Sequence, residues 1–173
     1  MLKALLMWRQ AKDYDQIYSV VKNAFDCAEH ADGNEPDLVN ALRRGEAYIP
    51  ELSLVAETEG KIVGHIMFTK ASVNEHTVLA LAPLSVLPEY QRTGVGTALI
   101  AAGHETAMRL GYTYSIVLGS ETYYPRQGYV PASLHGIYPP FDVPGENFMA
   151  YKLNGDRPDV TGIVRYAEEF CIV

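Results

Sequence analysis

The spacing of apolar residues along the chain predicts a series of strands and helices. Residues 5–9 form a candidate first strand, and Asp13 is expected to cap a helix that runs to about Ala28. Four residues give that helix an apolar stripe at helical spacing: Ile17, Val20, Val21 and Ala24. An acidic stretch over residues 27–37 follows, and Pro36 then marks the start of a second helix over about residues 37–44.

The middle of the chain predicts a hairpin, a central strand and a long helix. A turn at residues 58–61 carries Gly60 and joins two apolar strands, residues 53–57 and 62–69. Residues 77–86 are apolar at almost every position, which is typical of a central strand covered on both faces. A helix over about residues 94–110 follows, and Gly111 stands where a glycine commonly ends a helix.

The last third of the chain predicts shorter strands. Residues 114–118 form a short buried strand, and Tyr129 and residues 148–153 indicate two more, separated by a proline-rich loop at 131–144. Residues 162–170 could be a strand or a helix. The order βααβββαβ, followed by this mixed tail, predicts an α/β or α+β fold with helices on a central mixed sheet. No linker or repeat divides residues 1–173, so we expect a single domain.

Composition narrows the classes of function. The chain has 173 residues, of which 48% are hydrophobic and 20% charged, as in ordinary globular proteins. Its net charge of -7 argues against general binding of nucleic acid or anionic membrane. The longest apolar stretch is about eleven residues, well short of the ~20 that a membrane span needs. The N-terminal residues turn polar too quickly for a signal peptide.

The cysteines and histidines predict a cytoplasmic protein without a metal. Cys27 and Cys171 cannot form a disulfide framework, so each is expected to be a reduced thiol. No cysteine or histidine pair has the spacing of zinc ligands, and the five histidines are scattered along the chain.

The segment that joins the predicted central strand to the next helix carries the clearest chemistry. Gly94 and Gly96 open the helix a few residues after the strand, and Arg92 stands beside them. Free N–H groups at a helix start, the helix dipole and small residues together form a cradle for a pyrophosphate. It is not a P-loop, because Thr97 follows Gly96, and Leu99 stands where a dinucleotide fingerprint needs a third glycine. A plain helix start with a flexible turn is the alternative.

Two motifs in register carry a resemblance to a known family. Gln91-Arg-Thr-Gly-Val-Gly96, preceded by Val86-Leu-Pro-Glu-Tyr90, resembles the acyl-CoA loop of the GNAT N-acetyltransferase superfamily. One helix and one strand later, Tyr123-Tyr-Pro-Arg-Gln-Gly-Tyr129 resembles that family's Tyr-x-x-x-Gly-Phe element. Residues 82–86 and 118–132 are also similar to the YhbS-type bacterial subgroup. The resemblance implies a GNAT-like acyl-CoA N-acyltransferase fold, whose mixed sheet has two splayed parallel strands.

The resemblance also implies where acetyl-CoA, the cosubstrate, binds. The pantetheine arm would pair with main-chain groups of the first splayed strand, namely Leu84, Ser85 and Val86. The pyrophosphate would lie on the N–H groups of the loop and helix start: Arg92, Thr93, Gly94, Val95, Gly96 and Thr97. Arg126 could lie near a CoA phosphate or be a solvated surface charge.

In this family an amine attacks the thioester, and an acid protonates the departing thiolate. Tyr124, four residues before Gly128, stands where the family places that acid. Tyr124 could instead pack under the cofactor, and its neighbour Tyr123 could be the residue that faces the sulfur. The base stays unassigned, because residues 78–86 contain no carboxylate and Val117 stands where some members have Asn. Glu121, His65 or a water chain could serve.

The expected partner is a small-molecule or protein amine. The first two helices and their connection usually form the acceptor side of this fold, and here that region is acidic: Asp26, Glu29, Asp32, Glu35 and Asp37. This charge would favour a cationic acceptor such as a polyamine, an aminoglycoside or a lysine side chain, unless the segment is simply a solvated loop. The proline-rich loop could cover the cleft, pack as an arm or contact a second copy in a homodimer.

The missing strand carboxylate leaves a second function open. A non-catalytic module that binds acyl-CoA as a sensor would need the cradle and no base. Transfer of a longer acyl group, or transfer to a hydroxyl, is a third alternative.

Overall fold

The computed structural model describes residues 5–8, 11–26 and 32–171, which form a mixed β-sheet with helices packed on it. In chain order the elements are β1 (Leu5–Trp8), α1 (Tyr14–Phe25), α2 (Glu35–Arg44), β2 (Tyr48–Thr58), β3 (Lys61–Val73), β4 (His76–Val86), α3 (Val95–Arg109), β5 (Tyr114–Leu118), β6 (Val130–Pro131), β7 (Ile137–Tyr138), β8 (Phe148–Lys152) and β9 (Gly162–Arg165). The order of elements and the mixed sheet expected from the sequence are confirmed.

The strand order places β4 and β5 side by side in the middle of the sheet. Along the main path the order is β1-β2-β3-β4-β5-β8-β6, and β4 and β5 are its parallel neighbours. The other steps along this path are antiparallel. Strand β9 pairs with β3 and with β7, so the chain's last strand returns to the early half of the sheet.

Several elements differ from the sequence expectation at their ends. Strands β2 and β3 are longer than predicted, because cross-strand pairing holds polar positions such as Lys70 and Ser72 that break the apolar pattern. Helix α1 ends at Phe25, and residues 27–28 of the predicted helix lie outside the described residues. Asp13 occupies the N-cap position of α1, but its side chain makes no capping hydrogen bond.

The C-terminal half differs in similar ways. The strand expected at Tyr129 begins one residue later, at Val130, and the predicted proline-rich loop contains β7. Leu118, at the end of the expected buried strand, is 46% exposed. The tail contains a strand, β9, followed by a short 3-10 helix at Glu168–Cys171.

Two glycines bring α3 close to the sheet and so fix the position of its N-terminus. A Cβ on Gly103 would collide with the ring of Phe68, and a Cβ on Gly64 would lie 2.9 Å from Val95. At both positions a side chain of one element therefore occupies the space that a Cβ on the other would need, so α3 packs closely on β3. Within the described part of the chain, no helix is both long and apolar enough to cross a membrane.

A buried polar cluster joins α3 to the second half of the sheet. The hydroxyl of Tyr129 lies 2.9 Å from Nε2 of His104 and 2.7 Å from the hydroxyl of Ser115. The imidazole of His104 stacks on the ring of Tyr151, with ring centres 4.2 Å apart. Burial lowers the pKa of His104 from 6.5 to about 4, so the imidazole is neutral at physiological pH.

We expect His104 to make the protein acid-sensitive. Between pH 6.5 and about 4 the unfolded chain binds a proton at this residue and the folded chain does not. The free energy of unfolding should therefore fall as the pH decreases through that range. Urea titrations at pH 7 and pH 5 measure this, and His104→Gln should show a weaker pH dependence. His76→Gln, at an exposed position of β4, is the matched control. An unchanged pH dependence in His104→Gln would contradict the assignment.

Candidate functional site

Strands β4 and β5 separate after a short stretch of pairing. Their register contains two residue pairs, Leu79 with Ser115 and Ala80 with Ile116. Strand β4 then continues to Val86, while β5 stays paired on its other side with β8 as far as Leu118. The edge of β4 beyond Ala80 thus faces a cleft rather than another strand.

The register of β3 and β4 shows which main-chain groups face that cleft. The N–H of Leu87 donates to the carbonyl of Val63 at 2.9 Å, and hydrogen bonding alternates along an antiparallel pair. Main-chain groups of Ser85 therefore face β3, whereas those of Leu84 and Val86 face the cleft. In agreement, Nε2 of Gln91 donates to the carbonyl of Val86 from outside the ladder, at 3.1 Å. Of the three strand residues expected to meet the pantetheine arm, two face the cleft.

Beneath this edge lies a row of buried polar side chains. Ser85 is in register with His65 of β3, and Nε2 of His65 lies 3.1 Å from the hydroxyl of Ser53 on β2. His65 is fully buried and Ser85 is 1% exposed. The Ser85 hydroxyl has no hydrogen-bond partner among the described residues.

The glycine loop leads from the end of β4 to the start of α3. Arg92 and Gly94 have positive φ values of 60° and 92°, which turn the chain sharply before the helix. The N–H of Ala98 makes a hydrogen bond to the carbonyl of Gly94 at 3.0 Å, so the preceding N–H groups at the helix start point outward. The predicted cradle residues 92–97 thus form one continuous turn, and the side chain of Arg92 is exposed beside it.

The tyrosine segment packs against both the helix start and the end of β5. Nε2 of Gln127 donates to the hydroxyl of Thr97 at 3.1 Å, which ties this segment to the first turn of α3. The Tyr124 ring lies against Gly119, where an added Cβ would collide with it. Its neighbours meet it edge-on, Tyr123 with ring centres 5.1 Å apart and Tyr129 at 5.6 Å. Burial raises the pKa of Tyr124 above the ordinary value, so its phenol stays protonated.

The candidate bases occupy different environments. Glu121 is exposed after β5, and Nδ2 of Asn147 donates to its carboxylate at 2.8 Å. The same amide group donates to the carbonyl of Gly119 at 3.0 Å, which fixes the loop that precedes Tyr124. His65 is buried within the sheet. Arg126, which is not a candidate base but a possible contact for a CoA phosphate, is exposed. Sequence reasoning missed Asn147, because its contacts join residues 26 and 28 positions apart.

A groove of about 590 Å³ runs along one face of α1 beside the end of β4. One wall is formed by α1 and the residue that follows it; it is polar and consists of Asp15, Gln16, Ser19, Asn23 and Asp26, with Val20 among them. The opposite wall consists of Lys61, Ile62, Leu87, Pro88 and Glu89. The Lys61 ammonium lies 3.4 Å from the Glu89 carboxylate, so the carboxylates of Asp15 and Asp26 leave the groove negatively charged.

The acidic residues named from the sequence divide by environment. Asp26 lines the groove, and Glu29 lies outside the described residues. Glu35 accepts a hydrogen bond from the N–H of Asp32 at 2.8 Å, and Asp37 accepts one from the Tyr18 hydroxyl at 3.3 Å. These contacts give Glu35 and Asp37 structural partners. Among the residues described, no group of three or more His, Cys, Asp or Glu side chains could hold a metal ion.

Comparison with known proteins decides the family. Residues 14–129, about two thirds of the chain, match the model described as the acetyltransferase (GNAT) family. The chain belongs to the GNAT acetyltransferase family. It is thereby an N-acetyltransferase by family, which confirms the resemblance and the enzyme class expected from the sequence.

Two curated relatives come from Escherichia coli K12. The uncharacterized N-acetyltransferase YjhQ is 39% identical over 164 residues, which cover 90% of this chain and 88% of YjhQ. The uncharacterized N-acetyltransferase YhbS is 30% identical over 140 residues, covering 79% of this chain and 83% of YhbS. The similarity to YhbS confirms the subgroup resemblance.

Two solved structures that are similar to this chain are complexes with CoA and with acetyl-CoA. The crystal structure of Escherichia coli YhbS in complex with CoA has a TM-score of 0.85 and 27% identity, covering 99% of this chain and 93% of that one. A GNAT acetyltransferase from Brucella melitensis in complex with acetyl-CoA has a TM-score of 0.80 and 28% identity, covering 98% and 99%. Both extend over essentially the whole chain.

Proposed function

We propose that this protein transfers the acetyl group of acetyl-CoA to a primary amine by direct attack in a ternary complex. The observation that carries the proposal is the cleft itself. The free edge of β4 leads directly into the outward N–H groups at the start of α3, and two tyrosines lie across from it. A strand-like arm that ends in a pyrophosphate matches this arrangement in both shape and charge.

Each part of the cosubstrate has a place in this cleft. The pantetheine arm pairs with main-chain groups of Leu84 and Val86, which face away from β3. The pyrophosphate lies against residues 92–97, where the helix dipole of α3 adds partial positive charge. The thioester then lies on the side of Leu84 away from the cradle, toward the point where β4 and β5 meet.

The chemistry requires a neutral amine and a protonated acid. At pH 7, deprotonating a lysine-like amine of pKa ~10.4 costs roughly 4–5 kcal/mol, so a base must assist. A base removes one proton from the ammonium, and the amine nitrogen attacks the thioester carbon. As the carbon–sulfur bond breaks, the thiolate takes the phenolic proton of Tyr124, and the second proton lost by the nitrogen restores the phenol, which leaves an amide and a free thiol. Burial raises the pKa of Tyr124, so the phenol is protonated at neutral pH. The same shift makes it a weaker acid, so the transfer requires that the departing thiolate is desolvated in the cleft as well. Glu121, His65 and bound water remain the candidates for the base.

The groove along α1 borders the cradle end of β4, so we expect it to hold a distant positive charge of a long acceptor whose reacting amine lies at the thioester. Replacing Asp15 or Asp26 by Asn should lower kcat/KM for a polyamine about fivefold, the effect of roughly 1 kcal/mol per charge. A primary amine with a single charge should be less affected. Asp156→Asn, at an exposed position remote from the groove, is the matched control. Equal effects on polyamine and monoamine, or no effect on either, would remove the groove from the acceptor site.

The first experiment is a calorimetric titration with acetyl-CoA and CoA, followed by thiol release with a panel of amines. Micromolar binding with thiol release for one class of amine supports the proposal and identifies the acceptor class. Binding without turnover on any amine of a broad panel favours the sensor function. Absence of binding contradicts the assignment of the cleft.

The proposal includes a cytoplasmic location and one catalytic domain. Cys171 is an exposed free thiol, which a reducing compartment maintains. The described strands form a single nine-stranded sheet, which supports treating residues 1–173 as one unit.

A further inference from the structure

The side chain of Tyr123 lies over the first turn of α3, although it belongs to a segment more than twenty residues away. An ideal Cβ on Gly96 would lie 2.6 Å from the Tyr123 hydroxyl. That hydroxyl therefore takes the space that any side chain at position 96 would use. The Tyr123 ring is half-buried, packs against the hydrophobic core and meets the ring of Tyr124 edge-on.

Two further side chains lie near the Tyr123 hydroxyl. Nε2 of Gln127 donates to the hydroxyl of Thr97 at 3.1 Å. Burial raises the pKa of Tyr123, and the nearby Thr97 hydroxyl partly offsets this shift, so the phenol keeps its proton at neutral pH. The Tyr123 hydroxyl can donate that proton to an acceptor outside the protein.

The position of the hydroxyl is beside the cradle rather than across its entrance. N–H groups at the start of a helix point along the helix axis, whereas a Cβ direction points away from that axis. The Tyr123 hydroxyl occupies the Cβ direction of Gly96, so it covers the flank of the first turn. An anion that approaches along the axis meets the N–H groups of Val95, Gly96 and Thr97 in front and the phenol at its side.

We propose that the Tyr123 hydroxyl donates a hydrogen bond to the pyrophosphate of CoA and forms the side wall of the cradle. The inference rests on the proposed function, because it assumes that CoA occupies this cleft. It assigns the two adjacent tyrosines different tasks: Tyr123 binds the phosphate end of the cosubstrate, and Tyr124 serves the sulfur end. The two rings pack edge-on, so a shift of one tyrosine would also displace the other.

The test compares Tyr123→Phe with the unaltered protein in calorimetric titrations of three probes. CoA and dephospho-CoA both contain the pyrophosphate, and they differ in the 3′-phosphate. Pantetheine lacks all of these phosphates. We expect Tyr123→Phe to bind CoA and dephospho-CoA about tenfold more weakly, because a hydrogen bond to a charged group is lost. Its affinity for pantetheine should stay unchanged.

Two further variants sharpen the comparison. Thr97→Val removes the hydroxyl beside Tyr123 but retains the main-chain N–H, so it should weaken CoA binding by a smaller factor than Tyr123→Phe. Tyr138→Phe makes the same chemical change at a 50% exposed tyrosine of β7 and should bind all three probes normally.

Other results would overturn the inference. Unchanged or tighter CoA binding by Tyr123→Phe would mean that the hydroxyl only packs over Gly96. An equal loss for pantetheine would assign Tyr123 to the arm, and a loss for CoA alone would assign it to the 3′-phosphate. If the unaltered protein binds none of the probes, the proposed function itself fails, which is a separate and recognisable outcome.

Discussion

Tyr124→Phe is expected to lower kcat about a hundredfold while the affinity for CoA stays nearly unchanged. General acid catalysis contributes about 10²–10⁴-fold, and the substitution removes the proton but keeps the ring that packs against Gly119. The KM for acetyl-CoA should also change little, because the phenol acts on the departing thiolate rather than on the bound thioester. Initial rates of thiol release and a calorimetric titration of CoA measure the two effects separately.

A second substitution tests whether the position of the Tyr124 hydroxyl matters as well as its presence. Gly119→Ala retains the Tyr124 hydroxyl, but the new Cβ collides with the ring and must displace it. Its kcat should fall as well, by a smaller factor than in Tyr124→Phe. Tyr138→Phe is the control for loss of a phenol elsewhere on the molecule. Full activity in Tyr124→Phe with a good acceptor would show that another group protonates the thiolate.

Gly96→Val is expected to weaken CoA binding at least a hundredfold. The valine side chain would need the space that the Tyr123 hydroxyl occupies, and Leu84 lies 3.7 Å from the Cβ position on another side. Both tyrosine and ligand would be pushed away from the N–H groups that hold the pyrophosphate. Because those contacts involve a charged group, their loss is large. Titration calorimetry with CoA measures the change directly.

Folding should survive this change, which makes the result interpretable. Gly96 has an ordinary helical backbone, and most residues form helix more readily than glycine. Gly155→Val is the matched control, because its Cβ direction has no atom within 4 Å and its backbone is not in the left-handed region. Both variants should melt close to the unaltered protein. Retained CoA affinity in a folded Gly96→Val protein would exclude the cradle as the pyrophosphate site.

The parts of the molecule that could be predicted from sequence are those with a local cause. Strand β4 is apolar over a continuous stretch, Gly94 has the left-handed backbone that favours glycine, and Gly96 follows within the first turn of the helix, so strand, loop and helix start were all predictable. The two motifs likewise located the cradle and the tyrosine segment, since each motif is contiguous. The ambiguity at residues 162–170 has a physical origin, because β9 is held by β3 and β7 rather than by its own pattern.

The parts that could not be predicted depend on contacts across long separations. Tyr123 contacts Gly96, Gln127 donates to Thr97, and Tyr129 contacts His104. The C-terminal part of α3 and all of β5 lie between the two partners of each contact. The direction of the Ser85 main chain depends on the register of β3, which no local pattern records. The hydrogen bonds between β3 and β4 show that main-chain groups of Ser85 face β3 while those of Leu84 and Val86 face the cleft.

The unpaired edge of β4 also bears on how the protein avoids aggregation. Exposed strand edges commonly recruit strands from other copies and lead to association. Here the free edge lies inside the sheet, because β5 forms the opposite wall of the cleft. The segment that carries Tyr123 and Tyr124 borders the cleft beyond the end of β5. We expect a second polypeptide strand, with side chains on both faces, to have less room there than the pantetheine arm of the proposed cosubstrate. Under the proposed function, the free main-chain groups of β4 thus serve the ligand and are not offered to other copies of the protein.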